Sequence, residues 1–590
     1  MPGITGGTVD RRSLEAMADS MVHEDWYETD DTIGRAYGLA TVNHGAKDPN
    51  GHTVWSAGRR SGVLHGVVSN RDDLGMTTGE IFQAVLDRPN AILPRLAGPF
   101  VLACADQRGS LVVATDKMAT RPCYYATDGG FLFGTELKAL LTQLRDVRLN
   151  TQAVSDLLLT GSVMGRKTLL EEIQSLEPGS YIQYSDGEMS RDRYWTPAFG
   201  TAPEEGYVER TIDRYRESVA NVVDTVDGDL GLWLSSGLDS RTMASVVADE
   251  VDSFTAFTYG SHWGKDCAGA EQVADILDVP HHVSEYTPEG CVDAIENGVG
   301  LVDGMNQWSY YVNLPAATSD VPSNADVLFE ACAQGEFFGE NYFSFQWDSP
   351  VETLYDLKRQ LSAQDVQALL TEDVDPKRSF ETLLERSAQR NDKSRILDVN
   401  WQLYANGHFR GNKLYRSTAG TRVPFSHGPL LDHLAKLPVQ AYQRPTVPLI
   451  ESDIPYGISP LKLQVMRAVG GDDNQVPYDR TGFAPATSNI AHAIGFTTKQ
   501  AKKRLLGARD TMQGKWYRDH PEMRSFLDEL LDAACDRQLF DDDVVRDYQR
   551  AHLDGETDNI TAISAITTLE YWRQTQLEQR DTAKVKVTAK

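Results

Sequence analysis

Residues 232–241, LWLSSGLDSR, constrain the fold more than any other stretch of this 590-residue chain. A short apolar run, Leu232, Trp233 and Leu234, breaks into small residues and one carboxylate, and the helical pattern RTMASVVADE follows. That order predicts a buried strand, a tight loop and a helix N-terminus, whose free backbone N–H groups suit an anion. Ser235, Ser236, Gly237 and Ser240 are small enough for phosphate oxygens to approach the backbone, and the hydroxyls add donors. Asp239 repels phosphate by itself and makes sense there holding Mg²⁺ against a pyrophosphate. The same ten residues also fit an ordinary glycine-containing βα turn with a capping Asp or Ser.

LSSGLDS resembles the S-G-G-x-D-S loop of the PP-loop ATP pyrophosphatases, with Ser236 at the second position, where Gly is usual. The flanking chain resembles one branch of that superfamily, the class B asparagine synthetases, over nearly its whole length. The resemblance implies an α/β protein in two parts. An N-terminal Ntn-type, β-rich glutamine amidotransferase-like sandwich would occupy residues 1–195. A doubly wound parallel-sheet PP-loop synthetase domain with a helical C-terminal part would occupy 207–580. It implies cleavage of ATP to AMP and pyrophosphate, with Mg²⁺, to activate a carboxylate as an adenylate. The nucleotide-binding set it implies is Leu234, Ser235, Ser236, Gly237, Leu238, Ser240, Tyr259 and Glu336, with Asp239 holding the metal.

The order of the first part carries the resemblance. Short strands alternate with turns in GVLHGVVSN (62–70), GPFVLACAD (98–106), GSLVVATD (109–116), RPCYYAT (121–127) and GGFLFGTE (129–136). LAGPFVLACAD is similar to the domain's L-x-G-x-F-A-x-x-x-x-D strand, TRPCYY to its K-P-L-Y-Y, and FGTELKALL to its S-E-x-K-A-L. What the family uses for glutamine hydrolysis is missing. Its second residue is a Cys whose thiol attacks glutamine; here Pro2 has no nucleophilic side chain. The oxyanion-hole Asn-Gly appears as His65-Gly66, with Val67 in place of the following Glu. Asp116 keeps the acid of R-D-x-x-G, but Arg becomes Thr115 and Gly becomes Ala119. The expectation is a glutaminase fold without glutaminase activity.

TPAFGTAPEEG (196–206) reads as a Pro/Gly-rich hinge, and YVERTIDRYRESVANVV (207–223) as an amphipathic helix. A strand in 252–261 and helix, turn and strand in 266–283 complete a parallel doubly wound pattern, with ligand expected at the strands' C-terminal ends. His281 and His282 lack a nearby third ligand and read as packing or solvent-facing residues. EACAQGEFFGENY (330–342) is the counterpart of S-G-x-G-A-D-E-L-F-G-G-Y: Glu336, Phe338, Gly339 and Tyr342 fit, while Ala331 and Ala333 replace its glycines. Gly335 replaces its metal-binding Asp and Cys332 the Glu near the incoming amine, so Mg²⁺ keeps Asp239 and loses its second carboxylate unless Glu330 or Glu336 moves in. A strand end with an ordinary aromatic core is the competing reading of that segment. In 411–438 Arg422, Pro424 and Phe425 match the family's R-x-P-F, and in VPYDRTGFAP (476–485) Arg480 stands where a Lys steadies the adenylate and leaving pyrophosphate. Arg480 is thus expected to be catalytic together with Asp239.

The net charge of −28 is distributed in pieces such as ETDD (28–31), GGDDN (470–474) and FDDDVV (540–545). A spread acidic surface repels nucleic acid and anionic lipid and argues against both as partners. It also suggests a salt-adapted, halophilic cytoplasm, where hydrated carboxylates keep protein soluble. No apolar run reaches the ~18 residues of a membrane span, and six scattered cysteines lack a C-x-x-C pair. The expected partners are small-molecule carboxylate and amine substrates, with a homodimer left open. Aspartate is the acyl substrate by family default, and ammonia rather than glutamine the nitrogen source. Two alternatives stand beside this ligase: an intramolecular, lactam-type amide synthetase, and a non-catalytic nucleotide-binding or scaffolding homologue.

Overall fold

The computed structural model describes residues 1–201, 205–260, 265–338, 349–438, 441, 446–448, 453–455, 458–506 and 510–578. Gly339, Tyr342 and the tail after 578 lie outside them. Two six-stranded antiparallel sheets form the first part. One runs, in spatial order, 174–175, 124–126, 132–134, 3–7, 38–43 and 28–33; the other runs 188–193, 180–185, 111–115, 100–106, 60–66 and 52–57. Ile4, Leu39, Val63, Val101 and Phe133 fill the space between the sheets. Leu64 and Leu102, one residue on, point outward against Ile81, Phe82 and Val85 of the helix Thr78–Asp87. Ala40 and Val42 pack likewise against Leu14 and Met17 of Arg11–Asp19. Both faces of each sheet are covered, which explains why these strands read as apolar runs rather than alternations. The result is a helix–sheet–sheet–helix sandwich.

The second part holds a five-stranded parallel sheet in the order 281–285, 255–260, 230–233, 327–329 and 420–422. The chain builds outward from Leu230–Trp233 in one direction and then returns to its other side at Val327–Phe329. The order therefore reverses between those two strands, and a crevice opens at their C-terminal ends. Helices Tyr207–Val223, Leu238–Glu250 and Lys265–Leu277 accompany the sheet. His281 Nε2 pairs with the Thr258 hydroxyl at 2.8 Å, and the His282 ring stacks on Phe257.

The two parts share one core. The helix Thr151–Thr160 leaves the sandwich, and its Leu157 and Leu158 join Trp308 and Trp572 in a cluster with the C-terminal helices. Polar staples add to this. Arg422 bonds both Asp48 carboxylate oxygens at 2.7 and 2.9 Å, Lys117 meets Asp432 at 2.7 Å, and Arg193 meets Asp398 at 3.1 Å. Among the described residues no helix is long and apolar enough to cross a membrane.

Candidate active site

The loop after Leu230–Trp233 is held by its own side chains. The Ser240 Oγ accepts from the Ser235 N–H at 3.0 Å and lies 2.9 Å from the Ser235 Oγ, which accepts from the Gly237 N–H at 3.1 Å. Gly237 caps the helix Leu238–Glu250 with extended backbone and no side-chain bond, leaving that N-terminus to a ligand. Arg241, fully buried, donates to the carbonyls of Ser236 (2.9 Å) and Val476 (2.7 Å), tying the loop to the segment that carries Arg480.

Ser236 does not point to the phosphate space. Its side chain is buried against the helix Lys265–Leu277 at Gly269, where a Cβ would come within 2.5 Å of the Ser236 Cβ. Glycine on the facing helix thus accommodates the serine in the loop. Leu238 packs with Ile458, Leu463, Met466 and Tyr478, and acts as an anchor rather than a ligand-facing side chain.

A cavity of about 470 Å³ lies over this loop. Leu234, Ser235, Asp239, Ser240, Tyr259, Glu336 and Arg480 line it together, whereas Ser236, Gly237 and Leu238 do not. Seven of the ten positions expected from sequence thus meet at the crevice between the two central strands. Reasoning on motifs missed Lys462. Its ammonium is 3% exposed and contacts the Asp239 carboxylate, which is 35% exposed toward the cavity. A lone lysine in the helix Pro460–Val469 carries no motif signal. Also missed was Gln334, whose Nε2 donates to the Asp239 backbone carbonyl at 2.9 Å and joins the two loops.

The loop that ends in the short helix Gln334–Phe337 turns through a left-handed residue that is not glycine. Ala333 lies at φ 71° and ψ −5°, left-handed, at the start of the short helix Gln334–Phe337. The Tyr404 hydroxyl accepts from its N–H at 2.6 Å. An Ala there costs ~1–2 kcal/mol of backbone energy, so surrounding contacts impose the shape. Glu330, one candidate for a second metal carboxylate, is engaged elsewhere: Asn412 donates to it and the Arg416 Nε stands 3.7 Å away. Cys332 lies beside it with its thiol pushed far up by burial, and so stays a thiol. Among the described residues no group of three or more His, Cys, Asp or Glu side chains is arranged to hold a metal. Mg²⁺ that rides on substrate phosphates needs only one or two carboxylates, and Asp239 with its neighbour Glu336 on the cavity wall fits that donor set.

In the first part of the chain, the acid and imidazole singled out from sequence are both enclosed. Asp116 is fully buried; its carboxylate accepts from the N–H groups of Phe100, Met118 and Thr120 at 3.1, 2.8 and 3.1 Å, and from the Thr120 hydroxyl. Ala119, in the turn it organises, is again left-handed at φ 48°. His65 is buried, and burial, then Arg121, hold its imidazole neutral. Met1 and Pro2 close a small cavity with His65 and Arg121, and the Met1 amine lies 2.6 Å from Glu136.

A glutamine amidotransferase domain model matches residues 77–195, and an asparagine synthase model matches 212–447. Asparagine synthetase [glutamine-hydrolyzing] 2 of Bacillus subtilis (strain 168) is 26% identical over 211 residues, 32% of this chain and 28% of that protein. Its paralogue 1 is 28% identical over 151 residues, 25% and 24% of the two chains. The enzyme 2 of Lotus japonicus is 27% identical over 226 residues, 35% and 33%. The matched segments thus span about a quarter to a third of these relatives' own length. Among solved structures, the allosteric regulatory enzyme of purine biosynthesis overlaps 49% of this chain and 90% of its own, at 9% identity and a TM-score of 0.25. NMN synthetase from Francisella tularensis overlaps 35% and 96%, at 14% identity and a TM-score of 0.19.

Proposed function

We propose that this asparagine synthetase-like chain is an ATP-dependent amide-forming ligase that activates a carboxylate as an acyl-adenylate, releases pyrophosphate, and takes its nitrogen from ammonia or an amine rather than from glutamine. The observation that carries the reading is the convergence of Ser235, Asp239, Ser240, Glu336 and Arg480 on one cavity at the sheet's switch point.

The helix Leu238–Glu250 offers its N-terminal amides, with the Ser235 and Ser240 hydroxyls, to phosphate oxygens. Asp239, with Glu336 nearby, would hold Mg²⁺, which when bound neutralises phosphate charge. Lys462 rests on Asp239; transferring that contact to pyrophosphate would steady the leaving group. Arg480 at the exposed rim adds fixed positive charge, as a guanidinium that cannot give up its proton. The amine then attacks the acyl carbon and AMP leaves.

The nitrogen source rests on the first part of the chain. With Pro2 for a nucleophile, a neutral His65 in place of the oxyanion amide and Asp116 fully used in a turn, no group there is equipped to attack glutamine. Lys117–Asp432, Asp48–Arg422 and the shared helical core support a structural role for this part instead. Aspartate is the default acyl substrate of the family, and Mg²⁺ the default metal.

Nucleotide titration of wild type and Asp239→Ala, with and without Mg²⁺, followed by carboxylate-dependent pyrophosphate release, tests this reading. Wild type is expected to bind ATP, and the variant to lose about 100-fold in turnover, the scale of removing one preorganised electrostatic group. A wild type that binds neither ATP nor AMP with Mg²⁺ would sink the reading in favour of a scaffolding homologue.

A further inference from the structure

Another cavity, of about 420 Å³, lies where the two parts of the chain meet and shares no residue with the nucleotide cavity. Arg166, Lys167 and Arg191 line it from the first part, and Arg378 and Arg386 from the two ends of the helix Arg378–Arg386 in the second. Glu171 is the one acid on its wall among the described residues, and it meets Arg148 at 2.8 Å. On a chain with 85 acidic and 57 basic residues, five cations to one acid is a local inversion of charge. A concave wall of one sign focuses the field on an ion of the other.

Three of the five cations have a carboxylate of their own. Lys167 meets Asp156 at 3.0 Å, Arg378 meets Glu381 at 3.1 Å and Arg166 pairs with Glu177, and none of these acids lines the cavity. The other two have none. Arg191 donates to the Tyr125 hydroxyl and, at 3.4 Å, to the Gln174 amide oxygen, both uncharged. Arg386 makes no hydrogen bond or ion pair among the described residues. Arg386 is exposed and Arg191 half-buried, so both side chains are open to a ligand arriving from solvent. Burial and then Arg166 hold the Arg386 guanidinium below its ordinary value, and Arg191 adds to the effect. Like charges held together repel, and an anion seated among them replaces that repulsion with attraction.

The wall also states what kind of anion fits. Planar guanidinium forks bind phosphate bidentately. No aromatic ring lines the space for a base to stack on; Leu170, Ile173 and Leu383 are its apolar side chains. Its volume falls in the ~300–1,000 Å³ range of small-molecule pockets, more than a single phosphate fills. It also backs onto a space of about 500 Å³ that adjoins the nucleotide cavity and shares Tyr259, Glu336 and Tyr404 with it. Met164 lines that space and Gly165 this one, and the Gly165 N–H donates at 2.8 Å to Asn406 on the far wall.

We propose that the arginine-lined cavity binds a linear oligophosphate through its phosphate groups alone, and that the bound anion ties the helix Arg378–Arg386 to the first part of the chain. The inference does not depend on the ligase reading.

The test is calorimetric titration of the full chain with sodium tripolyphosphate in 0.5 M KCl and EDTA, with ATP as the comparison ligand. Wild type should show a binding step that weakens about tenfold in Arg386→Gln and again in Arg191→Gln/Arg386→Gln, the scale of one charge-assisted contact each. A step common to all three proteins belongs to the nucleotide cavity. Ligand-free Arg386→Gln should melt no lower than wild type, because the change relieves repulsion. Tripolyphosphate should raise the melting temperature of wild type by more than that of the double variant. Identical isotherms in the three proteins, a ligand-free Arg386→Gln that melts several degrees lower, or ATP filling this step tenfold more tightly than tripolyphosphate would each overturn the proposal. So would a wild-type dimer in light scattering that Arg386→Gln abolishes while no tripolyphosphate binds, which would make the cavity a dock for an acidic segment of a second copy. A wild type that fails to bind ATP with Mg²⁺ removes the ligase reading and leaves this inference standing.

Discussion

Replacing Arg422 by Met should cost more than any other single change at the junction between the two parts. The guanidinium donates to both Asp48 oxygens at 2.7 and 2.9 Å, to the Thr225 hydroxyl at 2.9 Å and to the carbonyls of Thr225 and Thr421 at 3.1 and 3.2 Å. Both charged groups are nearly sealed from water, at 1% and 4% exposure. Removing one partner of a buried pair leaves an uncompensated charge and costs ~3–5 kcal/mol, whereas removing both is far milder. Asp48→Asn in the Arg422→Met background should therefore recover much of the loss. The pH dependence has a defined sign. Burial pushes the Asp48 carboxyl up, but Arg422 outweighs it and holds the folded-state pKa below the ordinary value. The pair's contribution is thus complete above the unfolded carboxyl's pKa, roughly 4, and lost as pH falls through the folded value. In Arg422→Met the order inverts: Asp48 prefers its proton, so the penalty shrinks on acidification. Urea unfolding in high salt, followed by tryptophan fluorescence at pH 7 and pH 4.5, measures all three proteins. A single-variant loss below about 1 kcal/mol at pH 7, or no recovery in the double variant, would refute the reasoning from buried charge.

Ala333→Gly and Ala119→Gly should each stabilise the protein by about 0.5–1 kcal/mol, the left-handed strain of Ala less the greater unfolded entropy of Gly; thermal unfolding checks both, and destabilisation would mean the alanine methyl is packed rather than strained. Two buried imidazoles, His44 and His427, are pushed down to about 4 chiefly by burial. The unfolded chain binds their protons from about pH 6.5 downward. Stability should therefore fall between pH 6.5 and 4, and His427→Asn should flatten that slope in urea titrations. Because the acid is distributed over the surface, melting temperature should rise steadily from low to multimolar KCl; equal stability and activity at both extremes would contradict salt adaptation.

What the sequence disclosed follows from which interactions are local. A strand, a tight loop and a helix N-terminus occupy consecutive residues, so LSSGLDS could be read as it stands and its cavity found where expected. Arg422 was recognisable as part of R-x-P-F, but its partner Asp48, 374 residues away, was not. Ser236 appeared to face phosphate because nothing in the sequence couples it to Gly269. The left-handed turns at Ala119 and Ala333 were hidden because only glycine announces them. Glu28–Ile33 read as a patch of surface acid rather than a strand. It is the edge of its sheet, where exposed carboxylates guard against pairing with another chain. The space of about 500 Å³ beside the cavity had no signature at all, since Thr160, Asn306, Lys358 and His408 come from four separate stretches of the chain.

The measurement closest to the central claim is the product balance of ATP turnover in multimolar KCl with Mg²⁺, a carboxylate panel that includes aspartate, and either ammonia or glutamine as nitrogen source. AMP and pyrophosphate formed with ammonia, not with glutamine, and lowered about 100-fold by Asp239→Ala, is the predicted result. ADP and phosphate in place of AMP and pyrophosphate, or glutamine serving as well as ammonia, would contradict it.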